Sequence, residues 1–379
     1  MVHPPRIQQK RLGYTKNMHI VIDARIINSS TGRYVERLLT YLEQLDTDNN
    51  YTILVPSKDL TFWQPTNPRF TLKNADFANY SLAEQTSFKS FLDDLKADLV
   101  HFCMPQQPVL YRGAHVTTIH DLTLLNTYNS DKNWFMYRFK QLVGRGVFHV
   151  VARTSRAIIA PTNYTKQDIV NTLGVSPEKI TVTYEAADVA IDQLQPYVHP
   201  FNEYILYVGQ QSDYKNIRRL GDAHQKLLET HPDLGLILVG KKNKAIEANE
   251  QYFNEKGYRN IHFTGFIEDA QRDWLYTRAK AYVFPSLMEG FGLPGLEAMG
   301  YGAPVVSSNA TCLPEVYGDA AHYFDPHDTD AMATAINEVI SNESLRQELI
   351  KKGHAQLQKY SWKRMAEETL AVYQQALKK

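Results

Sequence analysis

AYVFPSLMEGFGLPGLEAMGYGAPVVSS, residues 281–308, decides how this chain reads. AYVFPS is a short apolar and aromatic run, as a buried strand requires, and it is expected to end at Ser286. A tight loop follows. Pro294, a residue type favoured in the first helical position, marks the expected start of a helix. APVVSS then reads as the next strand. Strand, loop, helix and strand in this order form one βαβ unit of a parallel sheet. Gly290 and Gly292 free the loop backbone from Cβ interference with a ligand. The helix start offers unpaired N–H groups and a positive dipole end to phosphate. Two carboxylates bracket that site, Glu289 before it and Glu297 inside the helix, with seven residues between them.

The same rhythm extends outward in both directions. HIVIDA at 19–24 reads as a strand and YVERLLTYLEQL at 34–45 as an amphipathic helix; YTILVP, ADLVHF, HVTTIHDL and AIIAPT continue the series. DVAIDQLQPYVHPFN, 188–202, breaks it and reads as a linker. YILYVG, GLILVG, IHFTGF, AYVFPS and APVVSS then restart it. The expectation is α/β, with two doubly wound domains. The first spans 18–190, a linker covers 191–202, and the second spans 203–361. A C-terminal helix over 362–379 is expected to return to the first domain. Residues 1–17 read as a basic tail without the apolar core of a secretory leader.

The composition excludes several classes. The chain has 379 residues, too many for one core, with 43% hydrophobic and 22% charged residues, which is globular. Its 41 basic and 41 acidic residues cancel, removing a global reason to bind nucleic acid. Cys103 and Cys312 are too few and too far apart for a disulfide framework or a metal motif, so a reducing, cytoplasmic setting is the simplest one. No apolar run approaches the roughly 20 residues that span a bilayer.

EGFGLPGLE closely resembles the Glu-x7-Glu signature of retaining GT-B glycosyltransferases of family 4 (group 1). The likeness extends over about 18–378. It implies two Rossmann-like domains facing across a cleft, with a nucleotide-diphosphate sugar on the second domain and the acceptor on the first. It further implies that Glu289 faces the donor sugar and Glu297 the ribose hydroxyls, with the amides of Gly290, Phe291, Gly292 and Leu293 on sugar and diphosphate. Lys215 in YVGQQSDYKNIRRL is similar to the family's diphosphate lysine, and Gly209 and Asn216 belong to the same element. Many members carry Arg directly after that glycine; here it is Gln210, so either one cation is missing or Arg218 or Arg219 compensates. His120, in HVTTIHDL, is similar to a family histidine near the donor sugar. Gly32, in STGRY, stands where the family often has two glycines, in a loop that would meet the donor phosphate or the acceptor. Catalytic roles thus fall on Glu289, His120 and Lys215.

The resemblance also implies transfer of a hexose without a cofactor or a metal. IDAR, TGRY, IHDL and YKN look most like mannosyltransferases of polysaccharide or lipid-linked acceptors, which favours GDP-mannose over UDP-sugars. A sugar-nucleotide epimerase of UDP-GlcNAc type, a phosphorylase and a non-catalytic sugar-nucleotide sensor are the alternatives.

Other readings of the same residues are weaker. Gly290, Gly292 and Gly295 also satisfy the dinucleotide pattern Gly-x-Gly-x-x-Gly, but only 84 residues follow Gly295, too few for the rest of a dinucleotide fold. Asp46-Thr47-Asp48 reads as a turn and Asp328-Thr329-Asp330 as a helix cap, not as metal ligands. Residues 132–166 hold seven basic and no acidic residues among Trp134, Phe135, Tyr137, Phe139 and Phe148. That run reads either as a helix with a buried apolar face or as a face for anionic lipid at the inner side of a membrane.

Overall fold

A computed structural model describes residues 17–126 and 134–378, with the side chains of 126 and 134–140 left aside. The tail 1–16 and Lys132 lie outside the described residues. The first sheet contains β1 (His19–Asp23), β2 (Asn50–Val55), β3 (Phe70–Asn74), β4 (Leu99–Phe102), β5 (His115–Thr118), β6 (Ala157–Ala160) and β7 (Ile180–Val182). The second contains β8 (Tyr204–Val208), β9 (Gly235–Val239), β10 (Ile261–Gly265), β11 (Ala281–Phe284), β12 (Val305–Ser308) and β13 (Ala321–Phe324). Their orders are β3-β2-β1-β4-β5-β6-β7 and β10-β9-β8-β11-β12-β13, with every pair parallel. Both are doubly wound, as expected.

A parallel sheet is covered on both faces, so its strands must be apolar on both faces. Ile20, Val21 and Ile22 are fully buried in β1, and Ile205, Leu206 and Tyr207 in β8. The helix Gly32–Leu45 covers the first sheet with Tyr34, Val35, Leu38, Leu39 and Leu42, the i, i+4, i+8 stripe of an amphipathic helix. The C-terminal helix Trp362–Lys378 joins that same apolar cluster through Trp362, Met365, Ala366, Val372, Tyr373 and Ala376. Its Tyr373 hydroxyl lies 2.6 Å from Nδ1 of His101 on β4, and its Ala376 carbonyl accepts from Arg156. The helix Trp362–Lys378 therefore packs on the first domain.

In each sheet the strand order reverses beside the first strand, between β1 and β4 and between β8 and β11. Open α/β sheets bind ligands outside the strand ends at that point. The loop leaving β1 ends at Gly32, the first residue of its helix, and the loops leaving β8 and β11 carry Lys215 and Glu289, so topology brings these candidates to two switch points.

The basic run 132–166 is not one helix. It divides into the helix Trp134–Thr154, β6 and the start of the helix Asn163–Leu173, because Ser155 and Arg156 turn the chain into the sheet. Among its described side chains Phe148 is buried, Arg156 and Lys166 donate to backbone carbonyls, and Arg145 and Arg153 are exposed. No helix among the described residues is long and apolar enough to cross a membrane.

Candidate functional site

β11 stops at Phe284, and the loop Pro285–Gly292 leads into the helix Leu293–Gly300. The helix starts one residue before the expected Pro294, because Gly292 takes a left-handed φ of +95° and serves as its N-cap. A Cβ on Gly292 would also lie 2.6 Å from the Tyr317 hydroxyl, and one on Gly295 would meet the Tyr317 ring at 2.3 Å. A Cβ on Gly290 would lie 2.1 Å from the backbone carbonyl of His120, in the other domain. Gly290 and Gly292, read as room for a ligand, are also required by packing, as is Gly295: against Tyr317 within the domain and against His120 across the cleft.

Glu289 is held from both sides of its backbone. Its N–H donates to Thr311 Oγ1 at 3.2 Å, and its carbonyl accepts from the Cys312 thiol at 3.2 Å. Burial, reinforced by the Glu289 charge, pushes the Cys312 thiol up, which keeps its hydrogen in place. The Glu289 carboxylate meets Lys215, Nζ to Oε1 at 2.6 Å, with both side chains largely buried. Burial alone would depress the Lys215 ammonium, yet Glu289, Tyr207 and Tyr214 outweigh it and hold its pKa above the ordinary lysine value. Lys215 also stands 5.1 Å from the centre of the Tyr214 ring and 5.6 Å from that of Phe284. The lysine is therefore a fixed positive charge at the end of β8.

Gly209 follows β8 at φ +144°. Asn216, at φ +62°, uses its amide nitrogen on the Pro285 and Pro326 carbonyls, while its Oδ1 accepts from Arg219. Its side chain ties three loops together and has no donor left for a ligand. Arg218 bonds to Asn249 and lies over Tyr252, and Arg219 bonds to Asn216 and the Pro326 carbonyl. Neither is joined to the Lys215–Glu289 pair.

Glu297 is buried one turn into the helix. Its Oε1 pairs with Arg33 of the first domain, and Oε2 lies 3.5 Å from the Tyr276 hydroxyl. Arg33 immediately follows Gly32, which is pressed so closely on Ile27 that a Cβ would lie 1.9 Å from its carbonyl. Phe291 is buried, its ring edge-on to Tyr360, and Leu293 opens the helix.

His120 sits two residues beyond β5, its ring edge-on to Tyr34 at 4.8 Å. Nε2 lies 3.1 Å from the Cys103 carbonyl, and Nδ1 3.3 Å from Glu185 Oε1. Both ring nitrogens are engaged by protein oxygens, so contact with a sugar requires one of these partners to be exchanged. The domains are joined beside it. Thr162 and Thr165 donate to the Gly290 carbonyl at 3.1 and 3.3 Å. Glu315 of the second domain accepts from the backbone N–H groups of Asn163 and Tyr164 at 2.7 and 2.8 Å, capping a helix of the first.

The sequence reading missed Arg33, Glu185, Thr311, Cys312 and Glu315. Arg33 alone had a local signal, since it stands in the quoted TGRY; the others act through contacts between residues distant in sequence. Asp46 accepts from the N–H groups of Asp48 and Asn49, from the Asn49 amide and from the Tyr51 hydroxyl. Asp328 caps the helix Thr329–Ser341. Both are engaged in turns.

The family model described as Glycosyltransferase Family 4 matches residues 31–190, and that described as Glycosyl transferases group 1 matches 198–356. O-antigen chain mannosyltransferase B of Escherichia coli is 32% identical over 271 residues, 68% of this chain and 69% of that protein. The serotype-specific mannosyltransferase WbdA of Escherichia coli is 30% identical over 260 residues. That match covers 65% of this chain but only 32% of WbdA, so the chain spans about a third of that longer protein. Among solved structures, sucrose-phosphate synthase from Thermosynechococcus elongatus superposes with a TM-score of 0.74 at 17% identity, covering 95% of this chain and 99% of that one. The two sheets are thus the GT-B architecture, with both carboxylates carried by the second. The chain belongs to the group 1, family 4 glycosyltransferases.

Proposed function

We propose that this glycosyltransferase moves a mannosyl residue from GDP-mannose to a glycan or lipid-linked acceptor, with retention at the anomeric carbon. The observation that carries the donor site is the Lys215–Glu289 pair at the switch point of the second sheet, with Glu297 in the adjoining helix. The choice of mannose is supported by the mannosyltransferase relatives, and the choice of nucleotide by the sequence likeness.

In this reading the bond between the anomeric carbon and the diphosphate oxygen breaks as the bond to the acceptor oxygen forms. The acceptor proton passes to the departing diphosphate oxygen on the same face. Lys215 meets the negative charge that grows on the diphosphate, and it can do so because it is desolvated and fixed in place. The N–H groups at the start of the helix Leu293–Gly300 add to it. Glu289 exchanges Lys215 for the sugar, beside the positive charge that builds at its anomeric carbon. Glu297 takes the ribose hydroxyls, and His120 positions the sugar from the other domain once one of its own partners is exchanged. No step is assigned to a metal or a resident cofactor. Leu142 and Val143 are exposed beside Arg145 on the helix Trp134–Thr154, which suits an acceptor carried on an anionic membrane surface.

Thermal shift with GDP-, UDP-, dTDP- and ADP-sugars tests the donor. GDP-mannose is expected to raise the melting temperature, because a ligand of the folded state stabilises it. A shift with a UDP-sugar alone overturns the nucleotide. Conversion of a sugar nucleotide without an acceptor indicates the epimerase instead.

A further inference from the structure

We propose that Arg33 of the first domain supplies the second cation that holds the donor diphosphate. The proposal rests on the donor reading above. Without Arg33, that site contains one cation, Lys215, against two carboxylates, Glu289 and Glu297. A diphosphate brings further negative charge, and one lysine already paired with Glu289 does not balance it. Gln210, directly after Gly209, adds no charge there. Arg218 and Arg219, the nearest other cations along the chain, bond to Asn249 and to Asn216 and the Pro326 carbonyl, and among the described residues no bond joins either to Lys215, Glu289 or Glu297.

Arg33 is the cation that the fold brings in. It crosses the cleft to Glu297 through Nη1, its single bonded nitrogen among the described residues, and its side chain is 30% exposed. A guanidinium has five N–H donors in a planar fork, so one can stay on a carboxylate while others take phosphate oxygens. The ribose carries the diphosphate on its 5′ carbon. A guanidinium held on the carboxylate that binds ribose is therefore within one sugar's length of those oxygens. The helix bearing Arg33 has no acidic residue in its first turn and no side-chain cap on its N-cap Thr31, which leaves its positive end uncompensated. Gly32, wedged on the Ile27 carbonyl, fixes where that helix begins. The diphosphate then bridges a lysine of one domain and an arginine of the other.

Isothermal titration of the wild-type chain, Arg33→Ala and Arg33→Lys with guanosine, GMP and GDP tests this. Arg33→Ala is expected to lose roughly 10- to 100-fold in GDP affinity, the size expected of hydrogen bonds to a charged group. Guanosine affinity should change by no more than about twofold, and Arg33→Lys should recover part of the GDP loss. Equal losses for guanosine and GDP would show that Arg33 only buttresses Glu297, and unchanged GDP affinity in a folded Arg33→Ala protein would also overturn the proposal. If wild-type protein binds UDP and not GDP, the nucleotide choice falls and the uridine series decides Arg33 by the same comparison. If it binds no nucleoside diphosphate, both readings fall.

Discussion

Lys215 Nζ stands 2.6 Å from Glu289 Oε1, joining the loops that leave β8 and β11 on either side of the second sheet's switch point. The two residues are 74 positions apart in sequence. Each is the other's counter-ion, so their contributions to stability and to transfer separate experimentally. Lys215→Met leaves the Glu289 carboxylate desolvated and unpaired, which costs about 3–5 kcal/mol for a broken buried pair. Lys215→Met with Glu289→Gln removes both charges and should recover most of that loss in a urea melt. Activity should not recover, because the cation that meets the leaving diphosphate is still absent; kcat/KM should stay lower by roughly 100-fold or more. Full transfer activity in the double variant would remove both residues from the chemistry.

Gly290→Ala tests whether the cleft needs its present closeness. The new methyl would lie 2.1 Å from the His120 carbonyl, a backbone atom that cannot step aside alone. The domains must part, and a displacement of about 1 Å at a reacting centre costs on the order of 100-fold in rate. Small-angle scattering should show a larger radius of gyration together with the loss of rate. Unchanged activity would mean that the domains close differently in the catalytic state.

Glu315 links the domains through a helix terminus. Glu315→Ala removes the acceptor for the Asn163 and Tyr164 N–H groups, the Asn163 amide and the Tyr184 hydroxyl. Loss of a cap costs about 1–2 kcal/mol. Hydrogen exchange should accelerate at Asn163 and Tyr164, while β8 and β9 keep their protection. Glu315→Gln retains an acceptor oxygen and should fall in between.

Acid should loosen the first domain through His101. Burial, helped by the nearby charge of His120, holds its pKa at about 3, against an ordinary 6.5. Between these values the unfolded chain binds a proton that the folded chain does not, so stability falls as pH drops from about 6.5 towards 3. Burial holds His224 at about 4, with the same sign. At pH 4.5 His101 alone should cost about 2–3 kcal/mol relative to pH 7. Because His101 meets Tyr373 and Thr118, the C-terminal helix should be the first to lose exchange protection. His101→Gln should flatten that part of the pH profile, and an unchanged profile would place the acid sensitivity elsewhere.

Much of the architecture was legible because parallel strands buried on both faces must be apolar throughout, and the helices between them must be amphipathic. AYVFPS and YILYVG were readable for that reason, and so was the break at 188–202. The helix start at Leu293 was misplaced by one residue, because Pro294 is a local signal whereas the left-handed φ of Gly292 is fixed by Tyr317. Within the basic run 132–166, AIIAPT was readable as a strand on the same ground as AYVFPS, whereas the carbonyls that Arg156 and Lys166 meet were not.

Both sheets, and the strand–loop–helix units that carry Glu289, Glu297 and Lys215, are written locally, as short motifs. What those side chains meet is settled by contacts between distant parts of the chain. The tertiary structure set Lys215 on Glu289, Arg33 on Glu297, His120 between Cys103 and Glu185, and Glu315 on the helix at Asn163. It also set the glycines against Tyr317 and His120, contacts that no local pattern shows. The physical reason is range. Periodicity and turn chemistry act over a few residues, whereas the balance of buried charge is settled between groups that the fold alone brings within hydrogen-bonding distance.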